Sequence, residues 1–185
     1  MWQNARSTKA AEYDHWWDQV SNVFTPNPES NERTMIALSV RSVWDLYFQI
    51  RNYPKGTEIL MTAINIGDMY KVVEEYGLIP VPVDIDPYTM APKLESIKAA
   101  VTEKTKVCLF AFLFGITYDI APYADFLESQ GIEIIEDCAQ SWRGLDVFRG
   151  SPRAKMTMFS FGSIKFNTAF YGSISIIRNE AQLVD

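Results

Sequence analysis

The stretch Ile132-Glu133-Ile134-Ile135-Glu136-Asp137-Cys138-Ala139-Gln140 decides the fold class of this chain. Its first five residues include three isoleucines and form a short run of the kind that strands contain. Two polar side chains, Asp137 and Gln140, follow this run directly. In α/β sheets the ligand site lies beyond the carboxyl ends of the strands. The stretch therefore predicts a strand that carries a carboxylate and an amide to a candidate site. Asp137 taken alone could equally cap the turn after the strand.

Strand and helix signals alternate on both sides of this stretch. Strands separated by helices are typical of parallel strands joined by right-handed crossovers. We therefore expect an α/β domain with a mostly parallel sheet and helices on both faces, which makes three layers, α/β/α. The predicted strands are 58–62, 79–84, 106–112, 132–136, 156–161 and 172–178, and the predicted helices are 39–51, 68–76, 92–101 and 118–130.

The amino-terminal segment is expected to be separate from this domain. Pro26, Pro28 and two asparagines interrupt the pattern between Thr25 and Asn31, as linkers do. We therefore divide the chain into a short helical arm with its linker, residues 1–30, and one large domain, residues 31–185. With 48% hydrophobic residues, a chain of this length can bury a core of its own.

Composition excludes several classes of function. The net charge is -6 with scattered Lys and Arg, so nucleic acid is not an expected partner. No apolar stretch reaches membrane-spanning length, so we expect no membrane partner and a cytoplasmic location. Cys108 and Cys138 lie in apolar segments and are expected to be buried thiols. The single histidine, His15, cannot build a catalytic triad or a multi-histidine metal site, so no metal is expected.

A second group of candidate residues is Phe159-Ser160-Phe161-Gly162-Ser163-Ile164-Lys165. Hydroxyl groups and a lysine follow a predicted strand here. Lys165 taken alone is most often a solvated loop cation. Its apolar and small neighbours, however, form a setting that desolvates an ammonium and favours the nucleophilic amine. A lysine that forms a Schiff base needs such a setting.

Together these segments resemble a known signature. Glu136-Asp137-Cys138-Ala139-Gln140, followed by Phe159-Ser160-Phe161 and Lys165, is similar to the pattern of the DegT/DnrJ/StrS sugar aminotransferase family. Pro80 to Asp86 and Phe112 to Gly115 also resemble that family, and the likeness runs from about Glu58 to Arg178. Family members are pyridoxal-phosphate enzymes of the aspartate-aminotransferase fold. The resemblance implies this cofactor, pyridoxal 5'-phosphate, and transfer of an amino group from a donor such as glutamate to a nucleotide-linked keto-sugar.

The resemblance also implies a role for each residue. Asp137 would pair with the pyridinium nitrogen, which keeps the ring an electron sink. Gln140 would lie near the phenolic oxygen of the ring, and Ser160 would donate to the phosphate. Lys165 would hold the cofactor as a Schiff base and then move the proton between the two carbons. Dehydratases of the family carry histidine in place of this lysine, so Lys165 favours transamination.

The chain departs from the family pattern in four places, one of which is the turn after Lys165, where Ala169-Phe170-Tyr171-Gly172-Ser173 replaces an acidic, glycine-rich turn. The glycine turn that binds phosphate is replaced by Ser39-Val40-Arg41-Ser42, where Arg41 could contribute charge and Ser42 a hydroxyl. Aliphatic residues occupy the stretch Ala63 to Gly67, where the family stacks an aromatic side chain on the ring. Family members also continue into a smaller carboxy-terminal domain, missing here, and form homodimers. A catalytically inactive binding or assembly module is therefore the alternative to an aminotransferase, and a generic α/β domain is a third reading.

Overall fold

A computed structural model describes residues 2–27, 29–165 and 167–178, which form one seven-stranded sheet flanked by helices. In chain order the elements are α1 (Trp2–Phe24), β1 (Glu32–Ala37), α2 (Val40–Arg51), β2 (Glu58–Thr62), α3 (Gly67–Glu75), β3 (Ile79–Val83), α4 (Leu94–Ala100), β4 (Thr105–Ala111), α5 (Ala121–Ser129), β5 (Glu133–Asp137), β6 (Met156–Ser160) and β7 (Ser173–Arg178).

The sheet is mostly parallel, as the alternating pattern predicts. Its strand order is β1-β7-β6-β5-β4-β2-β3. The strands β2 to β6 pair in parallel. The strand β7 runs antiparallel to both of its neighbours, β6 and β1. The chain crosses from the edge strand β3 over β2 to β4. Because the strands β2 to β6 run in the same direction, their five carboxyl ends meet at one edge of the sheet.

Two apolar cores, one on each face of the sheet, make the fold three-layered. The alternation within β5 shows this division, since Ile135 packs in the core beneath α2 and α3 and Ile134 packs in the core beneath α4 and α5. The helix α2 buries one side, which is formed by Val40, Val43, Trp44, Tyr47 and Phe48. The predicted α/β/α architecture is confirmed.

The amino-terminal region differs from the prediction. The helix α1 has 23 residues and is not short. Its last residue, Phe24, is buried in the core and stacks on Trp142, with ring centroids 5.5 Å apart. The strand β1 was not predicted, and it pairs with β7 through the register Glu32↔Arg178 to Ala37↔Ser173. The end of the arm is therefore part of the domain core.

Cys108 and Cys138 are free and buried, which agrees with the prediction. None of the helices within the described residues is long and apolar enough to span a membrane.

Candidate active site

The predicted polar residues meet at one edge of the sheet because of strand register. Asp137 ends β5 and pairs with Met158, so Ser160 lies two residues further along the neighbouring β6. Ile135 of β5 and Met158 of β6 both pack in the core beneath α2. Side chains two residues apart on a strand point to the same face of the sheet. Asp137 and Ser160 therefore lie on the face that α2 covers. The amino terminus of α2 follows β1 at this same edge.

One cavity of about 470 Å³ opens at this edge. It brings together five of the six residues predicted from the sequence, Arg41, Asp137, Gln140, Ser160 and Lys165. The sixth, Ser42, is not among its lining residues. Ser42 lies in an adjacent surface depression on the other side of Arg41.

Asp137 is the buried charge of this cavity. Burial raises the pKa of Asp137 to about 6, and the Ala139 N–H, which donates to Asp137 Oδ1 at 3.0 Å, and the Lys165 ammonium oppose that rise. The backbone around Asp137 is fixed, because its carbonyl accepts from the Phe112 N–H at 2.9 Å. The site therefore holds a carboxylate in a fixed position, close to a cation, in a medium where charge interactions are strong.

Lys165 lies in the loop between β6 and β7. A tight turn presents it, in which the Lys165 N–H donates to the Gly162 carbonyl at 2.9 Å. The loop returns to the sheet at Gly172, whose N–H donates to the Leu38 carbonyl at 3.1 Å. Lys165 is half-buried and lines the cavity together with Asp137. The turn thus places Lys165 in the same cavity as the carboxylate.

The amino terminus of α2 forms the other end of the cavity. Ser39 is the N-cap, and its Oγ accepts from the Ser42 N–H at 3.2 Å. Orphan N–H groups and the helix dipole make such a terminus favourable for an anion. Arg41 adds a positive charge, and its Nη1 lies 3.5 Å from Asp68 Oδ2. This end of the cavity can therefore hold a phosphate, with Ser39 nearer to it than Ser42.

Asp68 was not found from the sequence. It reaches the cavity because α3 packs on α2, where Trp44 Nε1 donates to the Met69 carbonyl at 3.2 Å. Tyr171, which is 80% exposed, and Ile66 also line the cavity. Ile66 belongs to the aliphatic stretch Ala63 to Gly67, which stands where the family stacks an aromatic side chain on the ring. No short-range pattern marks Asp68, since it reaches the cavity through the packing of α3 on α2.

Gln140 is oriented by the loop after β4. Its side-chain Oε1 accepts from the Phe114 N–H at 3.3 Å, and its backbone carbonyl accepts from the Gly115 N–H at 3.0 Å. The carbonyl oxygen of the amide is thus engaged, which leaves the Nε2 group to donate to a ligand. Phe114 has φ 56°, a left-handed conformation that is uncommon for a residue with a large side chain.

The donor set suits pyridoxal phosphate. A buried carboxylate can pair with a pyridinium nitrogen, an amide N–H can donate to a phenolate, and a helix terminus with Ser39, Arg41 and Ser160 can bind a phosphate. An amine for an aldehyde carbon is present at Lys165. The residues present therefore fit the cofactor.

Comparisons with known proteins show which proteins the chain is similar to. The 3-amino-5-hydroxybenzoate synthase of Amycolatopsis mediterranei is 27% identical over 175 residues, which cover 89% of this chain and 44% of that protein. The GDP-4-keto-6-deoxy-D-mannose 3-dehydratase of Yersinia pseudotuberculosis is 34% identical over 48% of this chain and 23% of that protein. The solved structure of NtdA from Bacillus subtilis with bound cofactor PMP superposes with a TM-score of 0.74 at 22% identity, over 91% of this chain and 38% of that one.

The chain spans less than half the length of these relatives. The family model described as the DegT/DnrJ/EryC1/StrS aminotransferase family matches residues 35–183. That match contains all of the strands from β2 to β7 and every residue of the candidate cavity. The chain belongs to the DegT/DnrJ/EryC1/StrS aminotransferase family.

Proposed function

We propose that this chain is the cofactor-binding part of a pyridoxal-phosphate-dependent aminotransferase in which Lys165 carries the cofactor as a Schiff base. One observation carries the proposal. Lys165, the buried Asp137 and the amino terminus of α2 line a single cavity. Bound pyridoxal phosphate supplies an electron sink for a carbanion, which no amino-acid side chain supplies.

Each residue has a task that its position allows. Asp137, as the anion, would pair with the protonated ring nitrogen, and the Ala139 N–H that donates to Asp137 fixes its direction. Gln140, oriented by Phe114, would donate to the ring oxygen. Ser160, Ser39 and Arg41 would hold the phosphate. Lys165, which lines the same cavity as Asp137, would supply the amine for the aldehyde carbon and the group that moves the proton.

The substrates we propose are an amino donor such as glutamate and a keto-sugar acceptor, which includes nucleotide-linked ones. Support comes from the family to which the chain belongs and from relatives whose names specify amino transfer. The name of the Yersinia relative specifies dehydration. Lys165 favours amino transfer over that reaction, because dehydratases of the family carry histidine in place of this lysine. We further propose a cytoplasmic homodimer for the whole protein.

A second candidate is a binding module without turnover. Val40 stands where a glycine would let the backbone approach a phosphate, and Arg41 is already paired with Asp68. Both features weaken phosphate binding. On this reading the cavity would retain a cofactor without passing on its amino group.

A half-reaction separates the two candidates. The chain is loaded with pyridoxal phosphate, and glutamate is added in excess. An aminotransferase converts the lysine-bound cofactor into pyridoxamine phosphate and releases 2-oxoglutarate, which is measured beside the loss of the visible absorption band. Lys165→Ala is expected to abolish 2-oxoglutarate release, and Lys98→Ala on α4 serves as the control. Cofactor binding without 2-oxoglutarate would favour the module.

A further inference from the structure

An ion pair lies between the phosphate end of the candidate cavity and the outer surface. Arg41 Nη1 is 3.5 Å from Asp68 Oδ2, and the two side chains are 51% and 53% exposed. Both residues line the cavity, and both also line the surface depression of about 450 Å³ on its outer side. The cation that a phosphate at this end of the cavity would use is therefore already engaged by a carboxylate.

Asp68 has a second cation as a partner. Its Oδ1 lies 3.7 Å from Nζ of Lys71, which is three residues further along α3. Lys71 lines the outer depression but not the cavity. Asp68 also belongs to the first turn of α3, where the helix dipole favours an anion. If Arg41 turned from Asp68 to a phosphate, Asp68 would therefore keep a cation partner and a favourable position.

The charge balance of the cavity gives this exchange a consequence for binding. The charged residues that line the cavity are Arg41, Lys165, Asp68 and Asp137. When all four are ionised, their charges cancel, so an entering phosphate meets no net attraction. Without the charge of Asp68 the cavity would be positive, and a cleft lined by charge of one sign attracts a ligand of the opposite sign.

We propose that Asp68 is a positioning residue that competes with the cofactor phosphate for Arg41 and thereby makes the cofactor exchange more readily with solution. The proposal rests on the proposed function, and it adds a control of cofactor retention at the same site. Its effect is modest in size, because ion pairs between exposed side chains contribute little free energy.

The test is equilibrium binding of pyridoxamine phosphate, and separately of inorganic phosphate, to the 185-residue chain. Asp68→Asn keeps the size of the side chain and removes its charge. This variant should bind both probes roughly two- to fivefold more tightly, which is the range that exposed ion pairs cover. The matched control is Glu75→Gln, which removes a carboxylate that lines the outer depression alone and should leave both affinities unchanged.

Two further measurements separate competition for Arg41 from a change in packing. In the Arg41→Ala background, Asp68→Asn should give no gain in affinity for either probe. At a salt concentration of about 1 M, where the Debye length falls to about 3 Å, the difference between Asp68→Asn and the natural chain should disappear. An effect of altered packing would persist in high salt.

The proposal would be overturned if Asp68→Asn left the affinity for inorganic phosphate unchanged or lowered it. An equal gain from Glu75→Gln, or an equal gain in the Arg41→Ala background, would also overturn it. Failure of the proposed cofactor function gives a different result. The natural chain would then bind no pyridoxamine phosphate, whereas Asp68→Asn would still bind inorganic phosphate more tightly than the natural chain does.

Discussion

Lys165 and Asp137 line the same cavity and are electrostatically coupled. Burial raises the pKa of Asp137 to about 6, and the Lys165 ammonium acts against that rise. A carboxylate that titrates this close to neutrality makes cofactor binding depend on pH, which leads to the first prediction.

Pyridoxamine phosphate should bind more weakly as the pH falls from 7.5 to 5. Above its pKa of about 6 Asp137 is an anion and can pair with the protonated ring nitrogen, whereas below that pKa the carboxyl is neutral and the charge-assisted bond is lost. Pyridoxamine phosphate is the appropriate probe because it forms no covalent bond with Lys165. Calorimetric titration should show an affinity loss of about tenfold, the size of a charged hydrogen bond.

Asp137→Asn should bind this probe about tenfold more weakly than the natural chain at pH 7.5, and its affinity should fall less steeply with pH, because only the phosphate of the probe still titrates. An undiminished pH dependence in Asp137→Asn would assign the effect to another group.

Arg41→Ala and Ser42→Ala should affect the phosphate end of the cavity differently. Arg41 lines the cavity and contributes charge, whereas Ser42 lies in the adjacent depression and contributes to the Ser39 cap. We expect the dissociation constant of pyridoxal phosphate to rise about tenfold in Arg41→Ala, since a hydrogen bond to a charged group contributes about 1.5–3 kcal/mol. Ser42→Ala should change it less than threefold. Similar losses in both variants would contradict this placement.

Gly150→Ala should destabilise the fold strongly. Gly150 has φ +82°, and a Cβ there would overlap Thr157 Oγ1 and Glu136 Oε2, which are hydrogen bonded to each other at 2.7 Å. Overpacking and the left-handed backbone together should cost about 2–5 kcal/mol of unfolding free energy. The matched control is Gly131→Ala, which has φ +68° but nothing within 4 Å of the added carbon. Urea unfolding should show a much smaller loss for the control, and equal losses would mean that backbone strain alone is responsible.

Glu136 should make the stability of the apo chain fall as pH rises from 5 to 8. Burial raises the pKa of Glu136 to about 7, while the hydrogen bonds from Thr157 and from the Ser151 N–H and the charge of Arg178 oppose this rise. A carboxyl with a raised folded pKa favours the folded state at low pH, and that contribution is lost as pH rises through the folded value. The apo chain should therefore show a lower Tm at pH 8 than at pH 5.

Glu136→Gln keeps the shape of this side chain and removes its titration. The variant should show a flatter dependence of Tm on pH, with the remaining slope due to Asp137. A slope equal to that of the natural chain would exclude Glu136 as its source.

Much of this fold follows from sequence, because its strands and helices are local and regular. The buried run that ends in Asp137 and the amphipathic pattern of α2 predict both elements to within one residue. Helix starts were less accurate. Pro92 was predicted to begin a helix, but it bridges to Ile85, so α4 starts at Leu94.

Non-local pairing explains what the sequence missed. The strand β1 gains its stability from β7, which is more than 130 residues away in the sequence, and its burial pattern lacks the alternation of a half-buried strand. The position of Asp137, Ser160 and Lys165 at this edge of the sheet was predictable, because each residue ends or follows a strand. Asp68 was not, since it enters the cavity only through the packing of α3 on α2.

Borohydride reduction followed by peptide mapping tests the central claim most directly. The chain is incubated with pyridoxal phosphate, reduced and digested, and each lysine is examined for the mass of the pyridoxyl phosphate group. We expect the modification at Lys165, and none on the Lys165→Ala variant under the same conditions, while Lys98→Ala is labelled like the natural chain. Labelling at another lysine, or undiminished labelling of Lys165→Ala, would contradict the assignment of Lys165 as the residue that carries the cofactor.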